Sequence, residues 1–273
     1  MTAAIEFHRV SKRFAGKPLS KTAVGRAGAV AEGGVLAVTD VTLRIATQEV
    51  VSIIGPSGCG KSTLLNIGSG LAKPTSGEVL VGGEKVTGPN KHVAFMLQKD
   101  LLMPWRTIAQ NIEFGLEMRG TPAAQRKAIS DKLIAQCRLT GFAASYPHQL
   151  SGGMRQRAAL ARTLAVDPDV LLMDEPFSAL DAQTKMILQA DLARTIATEG
   201  KTVLFITHDL VEAVALSDRI LVMSERPGTI IEDIRVDLPD RDNPMQRRKH
   251  PEVGHYVGRL MDLLQLDAHT PMH

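Results

Sequence analysis

A glycine-rich segment near residue 60 constrains the fold more than any other feature of the sequence. It reads GPSGCGKS over residues 55–62, follows the apolar run VVSII, and precedes the helix-like run TLLNI. A loop between a buried strand and a helix start directs backbone N–H groups and the positive helix end at a phosphate. We therefore predict an α/β fold that binds a nucleotide through Gly55, Pro56, Ser57, Gly58, Cys59, Gly60, Lys61, Ser62 and Thr63.

Two adjacent carboxylates form the second candidate feature. The apolar run VLLM ends in Asp174 and Glu175. In a protein with such a phosphate-binding loop, Lys61 would reach the β- and γ-phosphates, and Asp174 would hold Mg²⁺ opposite the Ser62 hydroxyl. Glu175, one position further, is suited to act as general base toward the water that attacks the γ-phosphate. Without the loop, an Asp-Glu pair would indicate only a solvated turn.

Short apolar runs recur along the chain, each followed by a break and then a helical pattern. They occupy residues 50–54, 93–97, 170–173, 203–207 and 220–223. This pattern is typical of a mostly parallel sheet with crossover helices. More than 70 residues separate the second run from the third, too many for one crossover, and helical patterns occur at 122–137 and after Ser151. We interpret this stretch as an inserted helical subdomain.

These patterns divide the chain into three parts. We predict a nucleotide-binding core at 1–98 and 155–240, a helical subdomain at 99–154, and a C-terminal tail at 241–273 with a short helix near 257–264. The Ala- and Gly-rich stretch 16–34 predicts a flexible surface loop. His269 and His273 fit a frayed terminus better than a ligand set.

Composition and charge exclude several classes of protein. The formal net charge is +3, from 32 basic and 29 acidic residues, and the tight basic run is confined to Arg247, Arg248 and Lys249, so we expect no nucleic-acid partner. Cys59 and Cys137 lie far apart without a CxxC motif, which argues against a zinc site or a disulfide framework. No stretch reaches about 18 consecutive apolar residues, and no signal peptide is apparent.

Further motifs carry a resemblance to a known family. LSGGMRQR begins at Leu150, SALD ends at Asp181, His208 follows the run VLFIT, and Gln98 follows VAFML. Together with the phosphate loop, they resemble the motif set of the ATP-binding cassette (ABC) ATPases. The resemblance implies a P-loop NTPase (RecA-like) core with an N-terminal antiparallel β part, and a helical subdomain that ends in the SGG signature.

The resemblance also implies roles for single residues. It assigns catalysis to Glu175, His208, Lys61 and Gln98, and Mg²⁺ binding to Ser62, Gln98 and Asp174. It places Phe14 against adenine. Asp181 is assigned to nucleotide binding. Ser151, Gly152 and Gly153 would contact the ATP of a second copy, because in this family each ATP lies between the loop of one subunit and the signature of the other. A helix start capped by Ser151 and followed by two glycines is itself suited to an anion.

Smaller segments resemble the importers of nitrate, sulfonate and taurine. They are Met154 with Arg-Gln-Arg after it, LLMPWR at 101–106, RPG at 226–228 and VDLP at 236–239. The resemblance implies an ATPase subunit on the cytoplasmic face of the inner membrane, attached peripherally to transmembrane permease subunits and served by a solute-binding protein. The sequence departs from the family pattern in the insertion after Phe14, in Gln48-Glu49 where Gly-Glu is usual, and in Met154.

Alternatives remain at this stage. Phe14 could be a core residue, Gln98 a capping amide, and residues 101–106 could pack inside the helical subdomain rather than against a membrane subunit. A soluble ABC-type ATPase, such as one of iron-sulfur cluster assembly, is a second candidate function. A P-loop kinase would leave SGG, residues 178–181 and His208 without a role.

Overall fold

The described part of the chain, residues 3–15 and 34–265 of a computed structural model, alternates strands and helices. The strands are β1 Ala3–Phe14, β2 Val35–Ala46, β3 Val50–Ile54, β4 Ser76–Val81, β5 Glu84–Lys85, β6 Val93–Met96, β7 Val170–Asp174, β8 Thr202–Ile206, β9 Arg219–Met223 and β10 Ile230–Arg235. The helices are α1 Lys61–Gly68, α2 Ile108–Met118, α3 Ala123–Gln136, α4 Gly152–Ala165, α5 Ala182–Glu199, α6 Leu210–Leu216, α7 Pro244–Arg247 and α8 Val253–Leu263. The predicted loop at 16–34, apart from Gly34, lies outside the described residues, as do His269 and His273.

Two sheets organise the molecule. The larger has the order β10-β9-β3-β8-β7-β6, and its strands run parallel except for the antiparallel pair of β9 with β10. The smaller, β2-β1-β4-β5, is antiparallel. The predicted α/β class is confirmed, and the five apolar runs become β3, β6, β7, β8 and β9. These strands are almost wholly buried, which explains their continuous apolar sequences.

The parallel direction of the central strands determines where chemistry can occur. The carboxyl ends of β3, β6, β7 and β8 meet at one edge of the sheet, where ligands of open α/β sheets bind. The phosphate loop (residues 55–62) follows β3, Gln98 follows β6, Asp174 ends β7 and His208 follows β8. Four segments distant in sequence therefore reach the same edge.

Helices α2, α3 and α4 occupy the long connection between β6 and β7. Thr107 starts α2 with a reciprocal capping box to Gln110, and the apolar face of the helix, including Ile108 and Ile112, is fully buried. Helix α4 begins at Gly152 and continues to Ala165 along the same cluster of apolar side chains. The boundary predicted between residues 154 and 155 falls inside this helix, and the division into domains stays a prediction.

The C-terminal part of the described chain packs on the core rather than extending from it. Val253 and Leu260 of α8 are buried with β9, β10 and α6, and Arg247 at the end of α7 is 1% exposed. Helix α8 begins four residues before the predicted position, and the first residue, Val253, supplies another buried apolar contact. Within the described residues, none of the helices is both long and apolar enough to traverse a bilayer.

Candidate nucleotide site

The phosphate loop joins β3 to α1 in a conformation that needs glycine. Gly60 has φ 114°, and a Cβ there would lie 2.5 Å from Val38 Cγ1 and 2.8 Å from the Ala37 carbonyl oxygen. A side chain would therefore clash with β2 as well as strain the backbone. Lys61 Nζ donates to the carbonyl oxygens of Gly55 and Pro56, both at 2.8 Å, so the ammonium group is held across the mouth of the loop.

A cleft of about 420 Å³ opens beside this loop. It is bounded by the antiparallel sheet on one side and by the carboxyl ends of β7 and β8 on the other. Its lining residues are Phe14, Val35, Ala37, Ser57, Gly58, Gly60, Lys61, Ser62, Thr63, Gln98, Asp174, Glu175, Ile206 and Arg226. Of the residues predicted for the loop, Gly55 and Pro56 contribute their carbonyl groups to Lys61, and Cys59 is buried behind the lining.

Phe14 lies at the rim of this cleft, at the end of β1. Its side chain is 47% exposed, which excludes the alternative that it is a core residue. The Lys12 ammonium lies 5.3 Å from the ring centroid. An exposed ring at the mouth of a phosphate-binding cleft can stack on a base. Stacking on adenine itself stays a prediction.

Asp174 and Ser62 face each other across the cleft floor. Burial raises the pKa of Asp174, and a hydrogen bond with the Ser62 side chain partly opposes that rise. Asp174 therefore carries a desolvated carboxylate beside a hydroxyl, and Gln98 adds an amide oxygen at the cleft wall. Oxygen donors of this kind suit Mg²⁺, which uses few protein ligands together with phosphate oxygens. The described residues contain no cluster of three or more His, Cys, Asp or Glu side chains that would hold a metal alone.

Glu175 is the point on which two of the predicted catalytic side chains, Gln98 and His208, converge. Gln98 Nε2 donates to Glu175 Oε2 at 3.1 Å, and His208 Nδ1 lies 3.5 Å from Glu175 Oε1. Glu175 has φ 49°, a left-handed conformation that is costly for a side chain of this size, and its N–H donates to Ile206 O at 3.1 Å. The strained backbone turns the carboxylate into the cleft between Gln98 and His208. The alternative that Gln98 is a capping amide does not agree with this contact.

The signature residues lie apart from this cleft. Ser151 caps α4 by accepting from the Met154 N–H at 3.3 Å, and Gly152 is exposed beside it. Neither residue, nor Gly153, belongs to the cleft lining. Gly153 packs on the segment 178–181, since a Cβ there would lie 3.2 Å from Leu180 Cδ2. The chain therefore presents a second exposed helix start that its own phosphate loop does not use.

Gln156 connects this helix to the catalytic segment, a contact that we did not predict from the sequence. Its side chain is 4% exposed, donates to the Glu175 carbonyl oxygen at 3.1 Å, and accepts from the Ala179 N–H at 2.9 Å. The sequence signal for this contact was that Gln156 is a polar residue on the buried side of α4. The groups that it binds could not be predicted from the sequence.

The segment 226–228 is the second contribution that sequence reasoning did not place. Arg226 donates twice to the Gly58 carbonyl oxygen, at 3.1 and 2.9 Å, and lines the cleft. Both backbone polar groups of Gly228 form hydrogen bonds with β2. The N–H donates to Ala37 O at 2.9 Å, and the carbonyl oxygen accepts from Thr39 N at 3.0 Å. These residues support the phosphate loop from outside.

Comparison with known proteins agrees with this geometry. The sequence matches the ABC transporter family over residues 38–178, slightly more than half of the chain. An uncharacterised ABC transporter ATP-binding protein of Methanocaldococcus jannaschii is 50% identical over 231 residues, 85% of each protein. The chain belongs to the ABC transporter family. As an ABC protein of this kind it binds ATP and is an ATPase that powers transport.

Two further relatives and one solved structure extend the comparison. The taurine import ATP-binding protein of Roseobacter denitrificans is 43% identical, covering 81% of this chain and 83% of that protein. The nitrate import ATP-binding protein of Synechocystis is 42% identical, covering 85% and 90%. The dimeric structure of an ATP-binding cassette in a post-hydrolysis state, bound to ADP and Pi, has a TM-score of 0.73 at 31% identity, covering 85% of this chain and 98% of that one. The ABC cassette fold is therefore confirmed.

Proposed function

We propose that this ABC ATPase drives the import of a small anion of the nitrate, sulfonate or taurine type. The observation that carries the catalytic part is the convergence of Gln98 and His208 on Glu175 beside the phosphate loop. The names of the taurine and nitrate relatives support the cargo class.

In the proposed reaction, water attacks the γ-phosphate of ATP, the bond to the β-phosphate oxygen breaks, and ADP and phosphate leave. Lys61 binds the β- and γ-phosphates, and Glu175 accepts the proton of the attacking water. His208 hydrogen-bonds the γ-phosphate and orients the water together with Gln98. Ser62, Asp174 and Gln98 would hold Mg²⁺, which when bound neutralises negative charge on the phosphate oxygens.

The proposed working unit contains two copies of the chain. Ser151, Gly152, Gly153 and Asp181 lie outside the cleft of their own chain, and the exposed start of α4 offers amides and a hydroxyl to an anion. We propose that they complete the site of the second copy, so that ATP closes the dimer. The dimeric structure of the similar cassette supports this arrangement.

The proposed membrane partner would dock at Trp105. This side chain is 73% exposed and Leu101 is 56% exposed, whereas Leu102 between them packs inside the core. Beside Trp105 lies a groove of about 430 Å³, lined also by Gln110 and by the ion pairs Arg106–Glu117 and Arg126–Glu113. An apolar anchor with a polar rim is the usual composition of a protein interface. We propose that permease subunits bind here, which places the ATPase peripherally at the cytoplasmic face of the inner membrane, with a solute-binding protein delivering the cargo.

Glu175→Gln tests the catalytic part. The amide keeps the size of the side chain but accepts a proton poorly, so we expect ATP hydrolysis to fall by about 10²- to 10⁴-fold while ATP affinity is retained. Light scattering with and without Mg·ATP should show a dimer only with nucleotide. Glu84→Gln, an exposed change on β5, is the matched control. Wild-type turnover in Glu175→Gln would remove this residue from the role.

A second experiment tests the membrane part. We expect the tagged protein to co-purify with an integral membrane protein from detergent extract, and Trp105→Ser to lose that partner while keeping its ATPase activity. Recovery of only soluble partners would favour the alternative of an ABC-type ATPase without a transport role.

A further inference from the structure

A partly buried cluster of charged side chains joins α5 to α6 and takes no part in the chemistry described so far. Lys185 Nζ in α5 lies 2.8 Å from Asp209 Oδ2 and 2.7 Å from Glu212 Oε2. The Glu212 side chain is 2% exposed and that of Lys185 is 19% exposed. Charges this deeply buried are costly unless they are paired, so the contacts must form together.

A second layer of the cluster reaches the C-terminal segment. Gln189 Nε2 donates to Glu212 Oε2 at 2.8 Å, and Gln189 Oε1 accepts from the Arg248 guanidinium at 2.6 Å. With Lys185 and Asp209, the set holds two cations, two carboxylates and one amide. Well-packed apolar residues would stabilise the fold at least as well as such a set, whereas a hydrogen-bonded ion cluster fixes one alignment of its elements.

Asp209 links the cluster to the neighbouring His208. Its Oδ1 accepts from the Glu212 N–H at 3.0 Å and caps α6, while its Oδ2 binds Lys185. Its own N–H donates to Thr207 Oγ1 at 3.1 Å. Burial would raise the pKa of Asp209, but the hydrogen bonds from Lys185 and the helix start lower it overall. Both carboxylate oxygens are thus engaged, and the backbone that carries His208 is fixed.

Lys185 also lies close to the start of α5. Its backbone N–H donates to the Asp181 carbonyl oxygen at 2.9 Å, and Asp181 caps this helix. Lys185 therefore contacts both the residue that caps α5 and the residue that follows His208. The His208 side chain is 69% exposed, so packing around the ring restrains it little and its position depends on the backbone beneath.

We propose that Lys185 is a positioning residue that holds His208 beside Glu175 through Asp209. Glu212 and Gln189 in turn hold Lys185 in place. The inference rests on the proposed function, in which His208 acts on the γ-phosphate. Loss of the cluster should slow turnover without weakening ATP binding, because the phosphate loop makes none of these contacts.

Three changes separate positioning from folding. Lys185→Met with Glu212→Gln removes one charge of each sign, so the most buried carboxylate is not left unpaired and residue 212 can still bind Gln189. Asp209→Asn retains a good helix cap but loses the ion pair. Lys185→Arg keeps the positive charge, so this variant should retain the turnover that the double variant loses. Lys201→Met, which removes the pair of Lys201 with the exposed Asp167, is the control on another edge of the molecule.

Two measurements follow for each full-length variant. The imidazole resonance of His208 is assigned by its loss in His208→Ala. It should shift in the double variant and in Asp209→Asn, whereas in Lys185→Arg it should stay close to its wild-type position. Steady-state kinetics should show kcat lower by about tenfold with KM for ATP within about twofold, since misplacement of a catalytic group affects the chemical step. Lys201→Met should change neither.

An unmoved His208 resonance overturns the proposal. An unchanged kcat in these variants also overturns it, provided that His208→Ala is impaired. Full turnover of His208→Ala would instead contradict the proposed function, and the resonance would still decide whether Lys185 positions the ring.

Discussion

Gly228→Ala tests how strongly the phosphate loop depends on the segment behind it. A Cβ at residue 228 would lie 2.1 Å from the Cys59 carbonyl oxygen and 2.8 Å from Met223 Cε. Residue 228 cannot retreat, because hydrogen bonds to Ala37 and Thr39 fix it on β2. Since real Cβ contacts are at least 3.0 Å long, the Cys59 carbonyl must move by about 1 Å.

Two magnitudes follow from this displacement. Overpacking of a well-packed site costs about 1–3 kcal/mol. With an unfolding entropy of about 2.1 cal/mol/K per residue, that lowers Tm by about 2–5 °C for a chain of this length. The displaced loop also carries the amides that we propose face the phosphates of ATP, and a shift of about 1 Å at such a site can reduce kcat/KM by about 100-fold.

The assays are thermal unfolding, ATP titration and steady-state ATPase kinetics. Gly258→Ala is the matched control, because a Cβ there meets no atom within 4 Å and the residue lies inside α8. In a helix interior this change should stabilise the protein by about 0.5–1 kcal/mol. The two Gly→Ala variants should therefore differ in the sign of their effect on Tm. If Gly228→Ala matched the wild type in both Tm and ATP affinity, the argument from close packing would be refuted.

Three further predictions concern single side chains. Gln156→Leu leaves the Ala179 N–H without its partner, whereas the Glu175 carbonyl keeps its hydrogen bonds from Ser178, so we expect a loss of about 1–3 kcal/mol in denaturant unfolding together with slower ATPase turnover. Gln48 has φ 65°, and because a left-handed conformation costs a non-glycine residue about 1–2 kcal/mol, Gln48→Gly should raise the unfolding midpoint. Burial raises the pKa of Cys137 to about 12, so mass spectrometry should find this thiol unalkylated by iodoacetamide at pH 8 until the protein unfolds.

The strands and the phosphate loop could be predicted because their signals are local. Continuous apolar runs are buried on both faces of the sheet, and the loop has a fixed spacing of glycines before Lys61. Parallel strand direction then brings Gln98, Glu175 and His208 to one edge, without any knowledge of the side-chain angles. The roles of these residues in hydrolysis stay predictions.

The remaining contacts depend on tertiary arrangement. Arg226 reaches Gly58 from a turn 168 residues later in the chain, and Lys185 meets Asp209 only when α5 and α6 pack side by side. No periodic pattern encodes such pairs. Gln48 was visible as a departure from the family pattern, but only the structure shows that the backbone there is left-handed, which explains why glycine is usual at this position.

The strand order also has a consequence for synthesis on the ribosome. Strand β3, which precedes the phosphate loop, pairs with β8 and β9. Val50 therefore cannot pair with Val203 until the ribosome has synthesised the 153 residues that follow Val50. At about 5–20 residues per second, translation of the intervening chain takes roughly 8–30 s. Throughout that interval the apolar strand VVSII has neither of its partners in the sheet, and it is a site where nascent chains can associate wrongly. A fragment that stops before β8 should therefore require chaperones and should fail to bind ATP, although it contains the whole loop.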